Sequence, residues 1–327
     1  MHFVKENLRF AAVFIAALAL GIFLSSCTTR KAPQVKEPGP EGSGYPLTVT
    51  DGMGREVTLK ARPERLVSLS PGNTEILFAL GLGGKVVGVD DYSDYPPEAV
   101  DIPKIGGFSN PNVEKIVALK PDLVLATNMH EEAVRRLEEI GIPVAVVSPK
   151  TVEGILDSIE WIGKLTGASE DASRLVADLR ERLEKVKAVV EKIPLDKRPW
   201  VYYEVYSDPL MTAGPQTFIG QLIELAGGRN IAYDAQTDYP EFSAETVIER
   251  NPDVIIFPQW HGSESLTVER LKSRSGWQEI KAVKNNRVFG VDANIVSRPG
   301  PRVVDALELL AEIIHPELFG ERNGSSS

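Results

Sequence analysis

Residues able to do covalent or metal chemistry are sparse in this chain. It has four His and one Cys in 327 residues, too little for a Cys/His metal cluster or a disulfide framework. The run Asp90-Asp91-Tyr92-Ser93-Asp94 gathers three carboxylates, but no His stands beside it, so a zinc or manganese site is not supported. No G-x-S-x-G, H-E-x-x-H or G-x-x-x-x-G-K-[ST] motif occurs, and Gly81-Leu82-Gly83-Gly84 reads as a helix stop. Glu75, early in a helix, is more readily a dipole partner than a catalytic acid. An enzyme needs a nucleophile, a base and an orienting group together; none is assembled here, and a hydrolase or chelatase is the remote alternative. What the sequence offers is aromatic, amide and charged side chains suited to holding a large ligand.

One chemical feature is written twice. NVEKIVALKPDLVLA (Asn112 to Ala126) returns as SAETVIERNPDVIIF (Ser243 to Phe257), each with Glu at the third place, then Pro-Asp and an apolar run. Asn112 and Ser243 stand where they can cap a helix, which puts Glu114 and Glu245 in the first turns of equivalent helices. Taken locally, each carboxylate complements a helix dipole.

The elements that must position these residues follow an alternating grammar. LTVTDGMGREVTL reads as a hairpin, after which short apolar strands (LVSLS, KVVGV, DLVLA, PVAVVS) alternate with helices (NTEILFALGL, NVEKIVALK, EEAVRRLEEIG, VEGILDSIEWIGKLTG). Ala168 to Ile193 has apolar residues at Leu175, Leu179, Leu183, Val186, Val190 and Ile193, one stripe of a long helix. The strand–helix grammar then restarts with WVYYEVY. The fold class expected is α/β: two similar Rossmann-like lobes with mostly parallel central sheets, 45–167 and 197–319, bridged by one long helix in 168–196, with a ligand cleft between the lobes. A serine-rich tail, 320–327, is expected to be disordered.

Net charge −10 and a pI near 5.1 argue against a nucleic-acid binder. The amino terminus carries Lys5 and Arg9 before the apolar stretch Phe10 to Leu24, shorter than a transmembrane helix requires and shaped like a secretory signal. Leu24-Ser25-Ser26-Cys27 follows and resembles the lipobox of bacterial lipoproteins, with Cys27 as the lipidation site. Residues 1–26 are then a signal peptide and 27–44, rich in Pro, Gly and charge, a flexible tether. The expected location is the outer face of a membrane, held by a lipid anchor; a plain signal peptide or an uncleaved anchor are the other readings.

From Arg65 to Phe319 the sequence resembles the substrate-binding proteins of ABC importers for cobalamin, ferric siderophores or haem. The stretches RLVSLSPGNTEILFALGLGGKVVGVDDYSDYPPEA and NVEKIVALKPDLVLA carry the likeness. It implies two α/β lobes joined by a helix, no enzymatic activity, no resident cofactor, a monomer, and delivery of a small-molecule ligand to a permease dimer. It also implies that Glu114 and Glu245, one per lobe, pair with Arg residues of the two permease subunits.

Ligands of open α/β sheets meet loops at the carboxyl ends of strands. Here those ends bear Asn73, Asp91, Tyr92, Phe108, Met129, His130, Tyr206, Trp260, His261, Arg298 and Arg302. In the family's cobalamin-binding members a Tyr and an aromatic contact the corrin at the places of Tyr92 and Phe108, although those members carry Trp where Phe108 stands. Arg298 matches a cleft Arg able to meet amide or carboxylate oxygens. Each has an alternative: Tyr92 packing a turn, Phe108 in a lobe core, Trp260 under its loop, Arg298 in a salt bridge within its own lobe. His130 reads as a solvated residue starting a helix. Haem-binding relatives use axial His, Met or Tyr ligands, so His261 is the residue that would serve haem or another metal. YSDYPPEA and the lack of a basic cleft favour a corrinoid over a ferric siderophore or haem.

Overall fold

The computed structural model describes residues 44–259 and 266–320. The hairpin β1 (Leu47–Thr50) and β2 (Glu56–Leu59) opens the first lobe. Then come β3 (Leu66–Ser68), α1 (Pro71–Ala79), β4 (Val86–Val89), the short pair β5 (Gly106–Gly107) and β6 (Asn110–Pro111), α2 (Val113–Ala118), β7 (Leu123–Ala126), α3 (Glu131–Glu139) and β8 (Val144–Val146). Next are α4 (Val152–Thr166) and α5 (Ser169–Val190). The second lobe follows as β9 (Trp200–Ser207), β10 (Leu210–Thr212), α6 (Phe218–Leu225), β11 (Arg229–Asn230), α7 (Ala244–Arg250), β12 (Val254–Gln259), α8 (Val268–Lys272), α9 (Lys281–Lys284), β13 (Val288–Asp292), α10 (Ala293–Val296), α11 (Val303–Ile314) and α12 (Pro316–Phe319).

The first sheet is wholly parallel, in the order β4-β3-β7-β8. In the second, β9, β12 and β13 run parallel, with β11 parallel and β10 antiparallel on the outer edge of β9. Strands β3, β7 and β8 are buried at every residue, as strands covered on both faces must be. The repeated sequence is thus a repeated winding: β7 lies between β3 and β8, and β12 between β9 and β13.

Helix starts are set by capping side chains, of which Asn112 and Ser243 were expected from the sequence. Ser70, Asn112, Thr151, Thr217, Ser243 and Thr267 each accept a main-chain N–H at the head of α1, α2, α4, α6, α7 and α8. Gly167, at φ 71°, ends α4 in the left-handed region that glycine enters without steric cost.

One core runs through both lobes. Leu77 of α1, Ile155 and Ile159 of α4, Leu179 and Leu183 of α5, Leu222 of α6 and Leu307 of α11 belong to the same buried cluster. Separate clusters line the outer faces, around Ile116 and Leu137 in the first lobe and Trp277 and Phe257 in the second. The bridge is therefore a helix pair: α5 packs along α4, and both reach α6. The helix expected over Ala168 to Ile193 spans Ser169–Val190; Ala172 and Val176 join its buried stripe, while Leu175 stays half-buried. The short strands β5, β6, β10 and β11 and the short helices α9, α10 and α12 carry no periodicity long enough to read.

Because the inter-lobe core is continuous, weakening α5 weakens both lobes. Leu179→Ala, at a site 2% exposed, is expected to cost about 2–5 kcal/mol in urea-induced unfolding. Tyr fluorescence and far-UV circular dichroism should report one shared transition.

Candidate functional site: a cleft between two lobes

The carboxyl ends of the two sheets face each other. Side chains of the loop after β13 reach the loop after β4: Arg298 donates to Asp94 Oδ1 at 2.7 Å and to the Tyr92 carbonyl at 3.0 Å. On the α4 side, Lys150 lies 3.3 Å from Asp238 and the Val152 amide donates to Gln221. Large aromatic and thioether side chains on these loops remain open: Tyr92 is 61% exposed, Met129 64% and Tyr206 59%, with Tyr95 and Tyr239 less so.

The Tyr92 loop is held rigidly from below. Asp90 is fully buried and accepts the Tyr92 amide at 3.1 Å and the Ser93 hydroxyl. Ser93 continues to Thr74 at 2.8 Å, Thr74 to Ser68 at 2.9 Å, and Ser68 donates to the Ser70 carbonyl. Burial pushes the Asp90 carboxyl up, against the opposing hydrogen bonds from Ser93 and Tyr92. Lys104 ties the same loop through the Ser93 and Ala99 carbonyls.

The main correction concerns Arg298. Its ion pairs are not confined to its own lobe: it is buried and donates to Glu75, Asp94 and the Tyr92 carbonyl of the first lobe, and to Asn294 beside it. Arg302 makes a two-pronged contact with Glu75 at 2.9 and 2.6 Å and stacks over the Tyr95 ring at 4.0 Å. Glu75 is 3% exposed, so its role as a local dipole partner gives way to an ion pair between lobes. Main chains close the joint: a Cβ on Gly72 would stand 2.7 Å from the Pro299 carbonyl oxygen, which only glycine avoids.

Two further expectations change. Asn73 is buried and its amide donates to the Ala126 carbonyl, so it braces α1 against β7 and leaves the ligand-contact set. His130 is 2% exposed, not solvated. The Thr127 amide donates to its Nδ1 at 2.9 Å, closing a capping box, and its Nε2 meets the Phe108 carbonyl at 2.7 Å. Burial pushes the His130 imidazole below its ordinary pKa, outweighing the Phe108 hydrogen bond. Phe108 is half-buried, edge-on to that ring, and Asp91 is exposed. Trp260, His261 and Cys27 lie outside the described residues.

Glu114 and Glu245 open α2 and α7 behind the capping Asn112 and Ser243. Phe242 hydrogen-bonds Leu210, and Asp91 hydrogen-bonds Gly106, so both helices begin at the carboxyl-end rim of their sheets. Each Glu is exposed, and its own main-chain amide holds the carboxyl below the usual range, helped by Arg136, its ion-pair partner, for Glu114 and by Ser243 for Glu245. Glu75 and Arg302 were not legible as a pair because residues so far apart leave no local pattern. Thr127-x-x-His130 did carry a signal, the spacing of a capping box with His in place of Glu or Gln.

Two α/β lobes that share a core and meet through the loops at their strand ends have the architecture of a bilobal solute-binding protein. A model of the periplasmic binding protein family matches residues 66–295, and the chain belongs to that family. It is 35% identical over 317 residues to the ABC transporter substrate-binding lipoprotein YvrC of Bacillus subtilis, covering 95% of this chain and 99% of that one. The vitamin B12-binding protein BtuF of Vibrio cholerae superposes with a TM-score of 0.67 at 30% identity, over 77% of this chain and 97% of the other. The haem-binding protein RhuT of Roseiflexus sp. RS-1 gives 0.69 at 29%, over 77% and 98%. The protein is thus an extracytoplasmic binding protein and not an enzyme, and no helix among the described residues is long and apolar enough to cross a membrane.

Breaking the joint by removing one partner strands buried positive charge. Glu75→Gln is expected to destabilise the protein by about 3 kcal/mol or more in chemical denaturation. An unchanged unfolding midpoint would show the pair to be dispensable.

Proposed function

We propose that this chain is a lipid-anchored receptor that captures a corrinoid and hands it to an ABC import permease. The observation that carries the ligand class is the charge state of the cleft. The Lys and Arg side chains of its described loops are already engaged: Lys104 by carbonyls, Lys150 by Asp238, and Arg298 and Arg302 by Glu75 and Asp94. The remaining stretch 260–265, WHGSES, contains neither Lys nor Arg. A triscatecholate ferric chelate, with several negative charges, would meet no uncommitted arginine, and haem propionates would fare no better. A corrinoid presents neutral amides around an apolar ring, which suits exposed Tyr92, Tyr206 and half-buried Phe108. The likeness to the Vibrio vitamin B12-binding protein supports the same reading. The corrinoid is cargo and not a resident cofactor. Cys27 would carry the lipid, and a monomer would dock through Glu114 and Glu245 on two permease subunits.

Titration monitored by intrinsic Trp fluorescence separates the ligands. Cyanocobalamin or cobinamide should quench saturably, with the ligand recovered unaltered by mass spectrometry. Quenching by haemin or a ferric siderophore alone would assign the other cargo, and a chemically changed ligand would reinstate an enzyme. Docking is tested separately. Glu114→Ala combined with Glu245→Ala should leave ligand affinity intact and abolish uptake in cells, and normal uptake would refute the two-point contact.

A further inference from the structure

The buried His130 has so far only a structural description, yet its contacts converge on one cleft residue. Because the Thr127 N–H donates to Nδ1, that nitrogen is the acceptor and the ring proton sits on Nε2, which donates to the Phe108 carbonyl. The His130 ring also meets the Phe108 ring edge-on, with centroids 5.1 Å apart and planes at 71°. One side chain therefore grips Phe108 by main chain and by ring. The hairpin that carries Phe108 cannot do this itself. Strands β5 and β6 have two residues each, paired only at Gly106 with Pro111 and Gly107 with Asn110. The Asp91 and Val89 main chains hold only the base of the hairpin, at Gly106 and Ile105, which leaves its tip to the His130 contact with the Phe108 carbonyl. Two glycines in that hairpin leave its backbone more freedom than other residues would.

We propose that His130 is the positioning residue for the Phe108 side of the ligand cleft, setting where that ring stands by anchoring the hairpin to the head of α3. The proposal rests on the reading of Phe108 as a ligand contact. Its logic is one acceptor toward Thr127 and one donor toward Phe108. Gln at the same place supplies both, in the usual capping-box chemistry. Glu supplies the acceptor toward Thr127 but turns a second acceptor on the Phe108 carbonyl.

The experiment compares wild type, His130→Gln, His130→Glu, Phe108→Ala and the His130→Glu/Phe108→Ala double variant. Cyanocobalamin and haemin serve as probes, with thermal melts to establish folding. Phe108→Ala should weaken binding about tenfold, as for a central aromatic contact. His130→Gln should stay within about twofold of wild type, since both hydrogen bonds are kept. His130→Glu should approach the Phe108→Ala loss, and the double variant should bind no more weakly than Phe108→Ala alone, because coupled residues are non-additive. Losses that multiply, or wild-type binding by His130→Glu, would overturn the proposal. Hydrogen exchange of the amides of residues 106–112 in the ligand-free protein gives an independent readout: faster in the Glu variant, unchanged in the Gln variant. Normal binding by Phe108→Ala with that exchange pattern intact would sink the ligand contact while leaving the anchoring standing. Equal exchange in both His130 variants would sink the anchoring itself.

Discussion

The architecture depends on a carboxylate held away from water between two arginines of the opposite lobe. Glu75 accepts from both Arg302 prongs and from Arg298, while Arg298 also reaches Asp94 and the Tyr92 carbonyl. Burying such a group is costly unless geometry and extra hydrogen bonds compensate. The Asn294 contacts and the stacking of Arg302 on Tyr95 supply part of that compensation. The joint makes the first-lobe loop that presents Tyr92 partly a second-lobe structure. That loop is thereby held in place by charges of both lobes.

This joint works with a second constraint, the shared core through α4 and α5. Two lobes hinged by flexible strands can swing widely, whereas lobes welded by packed helices move by small rigid-body shifts. Here Leu179, Leu183 and Ile159 contribute to the same buried cluster as residues of both sheets' inner coverings. Charge neutralisation and helix packing act in one direction: both tie the two lobes to each other.

Much of the architecture was readable because it is local. Cap residues such as Asn112 and Ser243, the apolar runs of β3 and β7, and the repeated α2–β7 and α7–β12 units all announce themselves over a few residues. The candidate site was less readable for a physical reason. Whether Asn73 faces a ligand or the Ala126 carbonyl, and whether His130 is wet or buried, is decided by neighbours from distant segments. Arg298 shows this most sharply, since strand-end position alone cannot distinguish an arginine awaiting an anion from one that already has its carboxylates.

By itself the sequence determined the alternation of strands and helices, the duplicated lobes, the poverty in catalytic and metal-binding groups, and the two rim glutamates. These follow from periodicity, capping chemistry and composition, which act over short range. Tertiary structure alone decided how the charges pair, that the lobes share one core, and which strand-end residues remain open. Those outcomes depend on desolvation and packing among side chains hundreds of residues apart, as with Glu75 and Arg302, and no local pattern encodes them.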